Sequence, residues 1–117
     1  MDTLVIYRET ARERVRRTTS AIQQRREKAW NAARTAAELL KTRYQATRVV
    51  VFGSITQAER FHLWSDLDLA AWGLPPGDYF EAVARVLDVG GEIKIDLIMA
   101  ERCKSFLQEE IESGVDL

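Results

Sequence analysis

The run Arg48-Val49-Val50-Val51-Phe52, followed at once by Gly53-Ser54, constrains the fold more than any other feature of the chain. A strand with one wet face alternates apolar and polar residues, whereas an unbroken apolar run suits a strand buried on both faces. The sheet must therefore be covered on each side, and 117 residues must supply both layers within one domain. With 46% hydrophobic and 30% charged residues, the composition is that of an ordinary globular protein able to build such a core.

The rest of the pattern supplies the covering layers. From about Leu4 to Tyr44 there is no proline or glycine, and Ile22, Trp30, Ala33, Ala37, Leu40 and Tyr44 recur at helical spacing. Thr18-Thr19-Ser20 is a place where this stretch can break into two helices. Ile55 to Phe61 predicts a short helix, and Ser65 to Trp72, alternating acid and apolar, predicts a second strand. After the Leu74-Pro75-Pro76-Gly77 turn, Asp78 and Glu81 have the spacing of a capping box. They open a helix with Tyr79, Val83, Val86 and Leu87 on one face, stopped by Gly90-Gly91. Glu92 to Met99 predicts a third strand. Glu101 to Glu112 predicts a last helix, with Cys103, Phe106, Leu107 and Ile111 buried and Gly114 past its end. The class is α/β (α+β), divided into an N-terminal helical arm over 1–45 and a domain over 46–117.

Charge and cysteine usage narrow the function. Residues 1–28 hold eight Lys/Arg against four Asp/Glu, a balance of +4, while residues 29–117 hold nine against fourteen, a balance of −5. An acidic body does not present a nucleic-acid surface. The Arg-rich stretch reads first as a solvated helix face, next as a partner or oligomerisation surface, and last as an RNA-binding arm. A single cysteine, Cys103, permits no internal disulfide. With no apolar run of the ~20 residues that span a bilayer and no signal-peptide pattern at the start, the expected setting is cytoplasmic and away from membranes.

The chemistry is carried by three acids. Side chains two apart on a strand share a face, with Cα atoms roughly 6.5–7 Å apart, so Asp66 and Asp68 can aim at one point. Asp96 stands between Ile95 and Leu97 in an apolar strand, where an unpaired carboxylate is costly. If the two strands are neighbours, three carboxylates converge. Two such charges ~5 Å apart repel by several kcal/mol at an effective dielectric near 20. A hard divalent ion such as Mg²⁺ relieves this, because it prefers carboxylate oxygens and accepts phosphate oxygens as further ligands. Asp66-x-Asp68 alone also fits the solvent face of an edge strand; Asp96 is what argues against that. Gly53-Ser54, between strand and helix, offers free N–H groups, close backbone approach and a hydroxyl to a phosphate. Alone it reads as a glycine turn with Ser54 as an N-cap; its place before the Asp pair is what points to a phosphate.

Taken together, Phe52-Gly53-Ser54, eleven further residues, then Asp66-Leu67-Asp68, with Asp96 downstream, resembles the signature of the nucleotidyltransferase superfamily. The absence of a larger appended domain, with Trp64-Ser65-Asp66 and Ala70-Ala71-Trp72-Gly73, is similar to its minimal nucleotidyltransferase (MNT) antitoxins, over roughly residues 46–117. The resemblance implies a nucleotidyltransferase fold with a small mixed sheet of three to four strands. It implies that Gly53 and Ser54 hold the β- and γ-phosphates of ATP and that Asp66 and Asp68 ligate two Mg²⁺ ions. Asp96 would ligate one of them and help activate the acceptor hydroxyl. It further implies a partner, a HEPN-domain RNase toxin held in a hetero-oligomer and neutralised by binding or by transfer of AMP to a tyrosine. The chain departs from the family pattern in having no glycine over Ile55-Thr56-Gln57-Ala58-Glu59-Arg60, with Arg60 the available cation. That departure keeps open a module that blocks the toxin without catalysis. A small-molecule nucleotidyltransferase is a further alternative, weakened by the lack of spare length for substrate recognition. His62 reads as a loop or packing residue, Cys103 as a small core residue, and Trp64 and Trp72 as core or partner contacts in preference to base stacking. Lys94, on the face of Asp96, suits a phosphate or an acid.

Overall fold

A computed structural model describes the backbone of residues 3–117 and the side chains from residue 10 onward; the first two residues and the side chain of Arg8 lie outside what is described. Helix α1 (Thr3–Arg43) is one continuous helix, with no break at Thr18–Ser20. Lacking glycine and proline, it runs until Gln45, at φ 62°, turns the chain left-handed while the N–H groups of Tyr44 and Ala46 donate to Leu40 O. Residues 10–20 are exposed throughout, and the molecule extends 66 Å along its long axis. Further on, Ala29, Ala33, Ala36, Ala37 and Leu40 are buried in the core, so this half of α1 is packed into the body.

Four strands follow: β1 (Arg48–Phe52), β2 (Leu67–Trp72), β3 (Ile95–Met99) and a two-residue β4 (Val115–Asp116), in the order β3-β2-β1-β4. β1 is antiparallel to β2 and β4, and β2 is parallel to β3, so the sheet is mixed. The unbroken apolar run behaves as its sequence dictates. Val49 and Val51 enter a core with α1, Leu67, Leu69, Ile95 and Leu97, while Val50 and Phe52 pack on the opposite face with Ala70 and Ile111. The first face is covered by α1 and α2 (Tyr79–Gly90), and the second by α3 (Ser105–Glu112).

Several boundaries differ from the sequence pattern. β2 begins at Leu67 and β3 at Ile95, leaving Asp66 in an irregular segment and Glu92 in a turn. Ile55–Phe61 is no α-helix: Gly53–Thr56 forms one 3₁₀ turn and the chain continues through a bend. Asp78 makes no side-chain cap, because Pro76–Asp78 is itself a 3₁₀ turn and Glu81 instead accepts a hydrogen bond from Tyr44 Oη at 3.0 Å. Ala82, not Leu87, joins Val86 in the core, since Leu87 is 40% exposed. The last helix starts only at Ser105, after a 3₁₀ turn over Ala100–Arg102. Its inward face is set by Leu107 and Ile111, four residues apart, which turns Phe106 outward to 67% exposure. Among the described residues no helix is long and apolar enough to cross a membrane.

Candidate active site

The sheet register brings the key residues into one row. Phe52 pairs with Asp68, and Asp68 pairs with Asp96. Because side chains alternate along a strand, Leu67 and Leu69 go to the α1 face with Ile95 and Leu97, which sends Asp68 and Asp96 to the α3 face. That face is only partly covered, and both aspartates are half-buried. Asp66 is exposed, two residues before Asp68 and just outside the strand pairing.

At the end of β1 the chain turns at Gly53 with φ +82°, a left-handed conformation that favours glycine. A Cβ there would lie 2.6 Å from Asp68 Oδ2. Glycine thus brings the backbone against the carboxylate, closer than any side chain allows. Half-buried Ser54 is the next residue of the turn, whose conformation is held by Thr56 Oγ1 donating to Gly53 O at 2.7 Å and Gln57 N donating to Ser54 O at 3.1 Å. With no α-helix following, an anion would be received by the N–H groups of this turn rather than by a helix macrodipole.

The electrostatics are those of a cation site. Burial first, then the charges of Asp96, Asp66 and Glu110, push the Asp68 carboxyl up to about 6. Lys94 Nζ stands 3.6 Å from Asp96 Oδ1, in an exposed pair that does little to neutralise Asp68. Beside Gly53 opens a cleft of about 290 Å³, lined by Thr56, Gln57, Arg60, Glu109, Glu110 and Ser113. Arg60 is its one basic lining residue. Sequence reading did not single out Glu109 and Glu110; their only signal is their place opposite the apolar stripe of the last helix, and topology alone brings that face to Gly53. A larger groove, about 690 Å³, lies between α1 and the turn before β3, but its lining includes none of the three aspartates.

Among the described residues no three His, Cys, Asp or Glu side chains form a ready metal cage. Mg²⁺ does not require one: it binds through one or two carboxylates and completes its shell with waters and substrate phosphates. Hard oxygen donors from Asp68 and Asp96, with Asp66 close enough to raise Asp68, fit such an ion. The other residues singled out from sequence take no part in this row. His62 is an exposed loop residue whose Nδ1 accepts from Trp64 N at 3.2 Å. Trp64 is 81% exposed and so belongs to no core. Trp72 packs half-buried with the Arg48 guanidinium 4.5 Å over its ring. Cys103 is half-buried just before α3.

Neither a family model nor a curated protein sequence matches the chain. Solved structures do. A chain of a toxin–antitoxin complex solved with AMP-PNP is 20% identical with a TM-score of 0.57, over 68% of this chain and 67% of that one. A chain of the toxin–antitoxin pair MntA-HpeT, carrying two aspartate-to-glutamate substitutions two residues apart, is 17% identical with a TM-score of 0.59, over 72% and 70%. A protein described as a minimal nucleotidyltransferase is 23% identical with a TM-score of 0.57, over 85% and 95%. That last coverage exceeds what residues 46–117 alone can supply, so the likeness reaches back into α1. The fold of this chain is the α+β fold of a minimal nucleotidyltransferase.

Proposed function

We propose that this protein is an antitoxin-type nucleotidyltransferase that transfers AMP from ATP to a protein hydroxyl, a tyrosine of a cognate HEPN-class RNase toxin, and silences it. The single observation that carries the reading is the row that sets Gly53 against Asp68 and Asp68 beside Asp96. The folds it shares come from toxin–antitoxin complexes, one of them solved with an ATP analogue. Cytoplasmic work beside ATP agrees with the unpaired Cys103.

In this reading Gly53 and Ser54 hold the β- and γ-phosphates through backbone N–H groups and the serine hydroxyl, and Arg60 supplies positive charge from the neighbouring cleft. Asp66, Asp68 and Asp96 hold two Mg²⁺ ions, which when bound neutralise the developing charge on the phosphates. The acceptor oxygen bonds to the α-phosphorus, the bond to the bridging oxygen breaks, and pyrophosphate leaves. The hydroxyl proton passes to Asp96, beside Asp68 on the neighbouring strand. The N-terminal arm over 1–45 supplies helix α1, exposed over residues 10–20, ahead of the catalytic domain over 46–117.

The test combines the protein with its partner, Mg²⁺ and ATP labelled on the α-phosphate, in parallel with Asp68→Ala. Label on the partner, lost in the variant, is the expected result; label on nothing, or equal labelling by both, rejects transfer. A second reading, blocking by binding alone, is favoured by the absence of a glycine over Ile55–Arg60. It gains the upper hand if a variant with Asp66, Asp68 and Asp96 all changed to alanine still neutralises the partner.

A further inference from the structure

The geometry points to Arg25 and Arg26 of α1 as positioning residues that hold the two loops of the site in register, an inference that rests on the nucleotide and metal reading of that site. Adjacent residues on a helix diverge by about 100°, and these two reach different loops. Arg26 Nε donates to Ile55 O at 2.9 Å, within the turn that begins at Gly53. Arg25 Nη2 donates to Ser65 O at 3.0 Å, the carbonyl immediately before Asp66. One helix turn thus fastens both the proposed phosphate loop and the approach to the acidic strand.

Other observations favour positioning over simple packing. The 62–65 loop is otherwise tied largely to itself: Ser65 N donates to His62 O, His62 N to Ser65 Oγ, and Trp64 N to His62 Nδ1. Arg25 therefore provides its link to the helix layer. Arg25 Nε, moreover, is buried with no hydrogen-bond partner, a cost that an apolar side chain in the same place would not carry. An arginine that gives up stability in this way while its outer nitrogen fixes a loop carbonyl is placed for geometry. Donors with a positive charge make the stronger hydrogen bonds to backbone oxygen, which suits them to fasten these two loops to the helix.

The experiment uses the full chain with Arg25 and Arg26 changed singly to methionine, which keeps the aliphatic stem, and to lysine, which restores one charged donor. Arg34→Met, an exposed change farther along α1, serves as the control. MgATP is the binding probe, and amide exchange is followed by residue. Arg26→Met is expected to weaken MgATP binding about 10-fold and to speed exchange over 54–57. Arg25→Met does the same over 62–66. In both, the β1 and β2 amides stay as protected as before, and the lysine variants recover binding to within about 3-fold. Methionine variants that bind like the wild type, lysine variants no better than methionine, or faster exchange spread evenly over the sheet would each overturn the proposal. A wild-type chain that binds no MgATP removes the nucleotide reading, and the exchange pattern with its lysine rescue then still decides whether the two arginines hold the loops.

Discussion

At the residue scale the site depends on one contact, the approach of Gly53 to Asp68. Gly53→Ala would need a Cβ 2.6 Å from Asp68 Oδ2 on a backbone at φ +82°. The change is expected to destabilise the fold by about 1–3 kcal/mol and to abolish MgATP binding, both measurable by thermal melting with and without ligand. Asp68 itself gives a pH signature. Its folded value of about 6 lies above the ordinary 3.8, so its contribution to stability is present in full below the ordinary value and is lost as pH rises through 6. In EDTA, Asp68→Asn removes that loss: the variant should match the wild type near pH 4 and exceed it by about 1 kcal/mol at pH 7.5, after discounting the shift for partial exposure. A variant less stable than wild type at both pH values contradicts the electrostatic account. That Asp68 and Asp96 leave the apolar face of their strands was legible in the sequence, because alternation assigns faces without knowledge of topology; Asp66 fits the same alternation but lies just outside the strand. Glu110 was not, because its influence on Asp68 crosses from a helix to a strand some forty residues away.

At the element scale, periodicity located three helices and three strands but misplaced their ends, and it predicted a helix over Ile55–Phe61 where the chain makes only a 3₁₀ turn. Ser65 and Asp66 continue the alternation of β2, yet Ser65 serves the loop through its bond with His62 N, so pairing begins at Leu67. Phe106 shares a stripe with Cys103 only if one helix runs from Glu101; because the helix starts at Ser105, after the turn at Ala100–Arg102, Phe106 faces outward. β4 is two residues long, with no pattern to detect, and is fixed by the pairing of Asp116 with Val50 and the Arg48–Asp116 ion pair at 2.6 Å. Ala33 and Ala37 were legible on the packing face of α1; the structure adds Ala29 and Ala36, so that four small residues are buried in the core. Ala33→Leu inserts a larger side chain into that packed seam, where overpacking costs about 1–3 kcal/mol. Val15→Ala, on the exposed stretch, should change stability by less than about 0.5 kcal/mol. Urea unfolding of both variants distinguishes a packed rear half of α1 from a helix exposed along its whole length; equal midpoints would contradict the packing described.

At the scale of the whole molecule, an acidic body, at −5 over residues 29–117, concentrates its cost at one half-buried carboxylate, and the ligands that offset this cost should act as folding ligands. Mg²⁺ must displace the proton from Asp68, so millimolar Mg²⁺ should raise the melting temperature at pH 8 and have a much smaller effect at pH 5. Adding AMP-PNP at about 100 times its dissociation constant contributes about 2.7 kcal/mol of linkage, which for a chain of this size corresponds to about 10 °C. The increments should be interdependent: EDTA removes most of the nucleotide's effect, and Asp68→Asn removes both. Calorimetric scans of wild type and variant, with metal, nucleotide, both or neither, resolve this. Nucleotide stabilisation that persists in EDTA, or that Asp68→Asn leaves intact, would show that the triphosphate is held elsewhere on the molecule and that the aspartate row is not its partner.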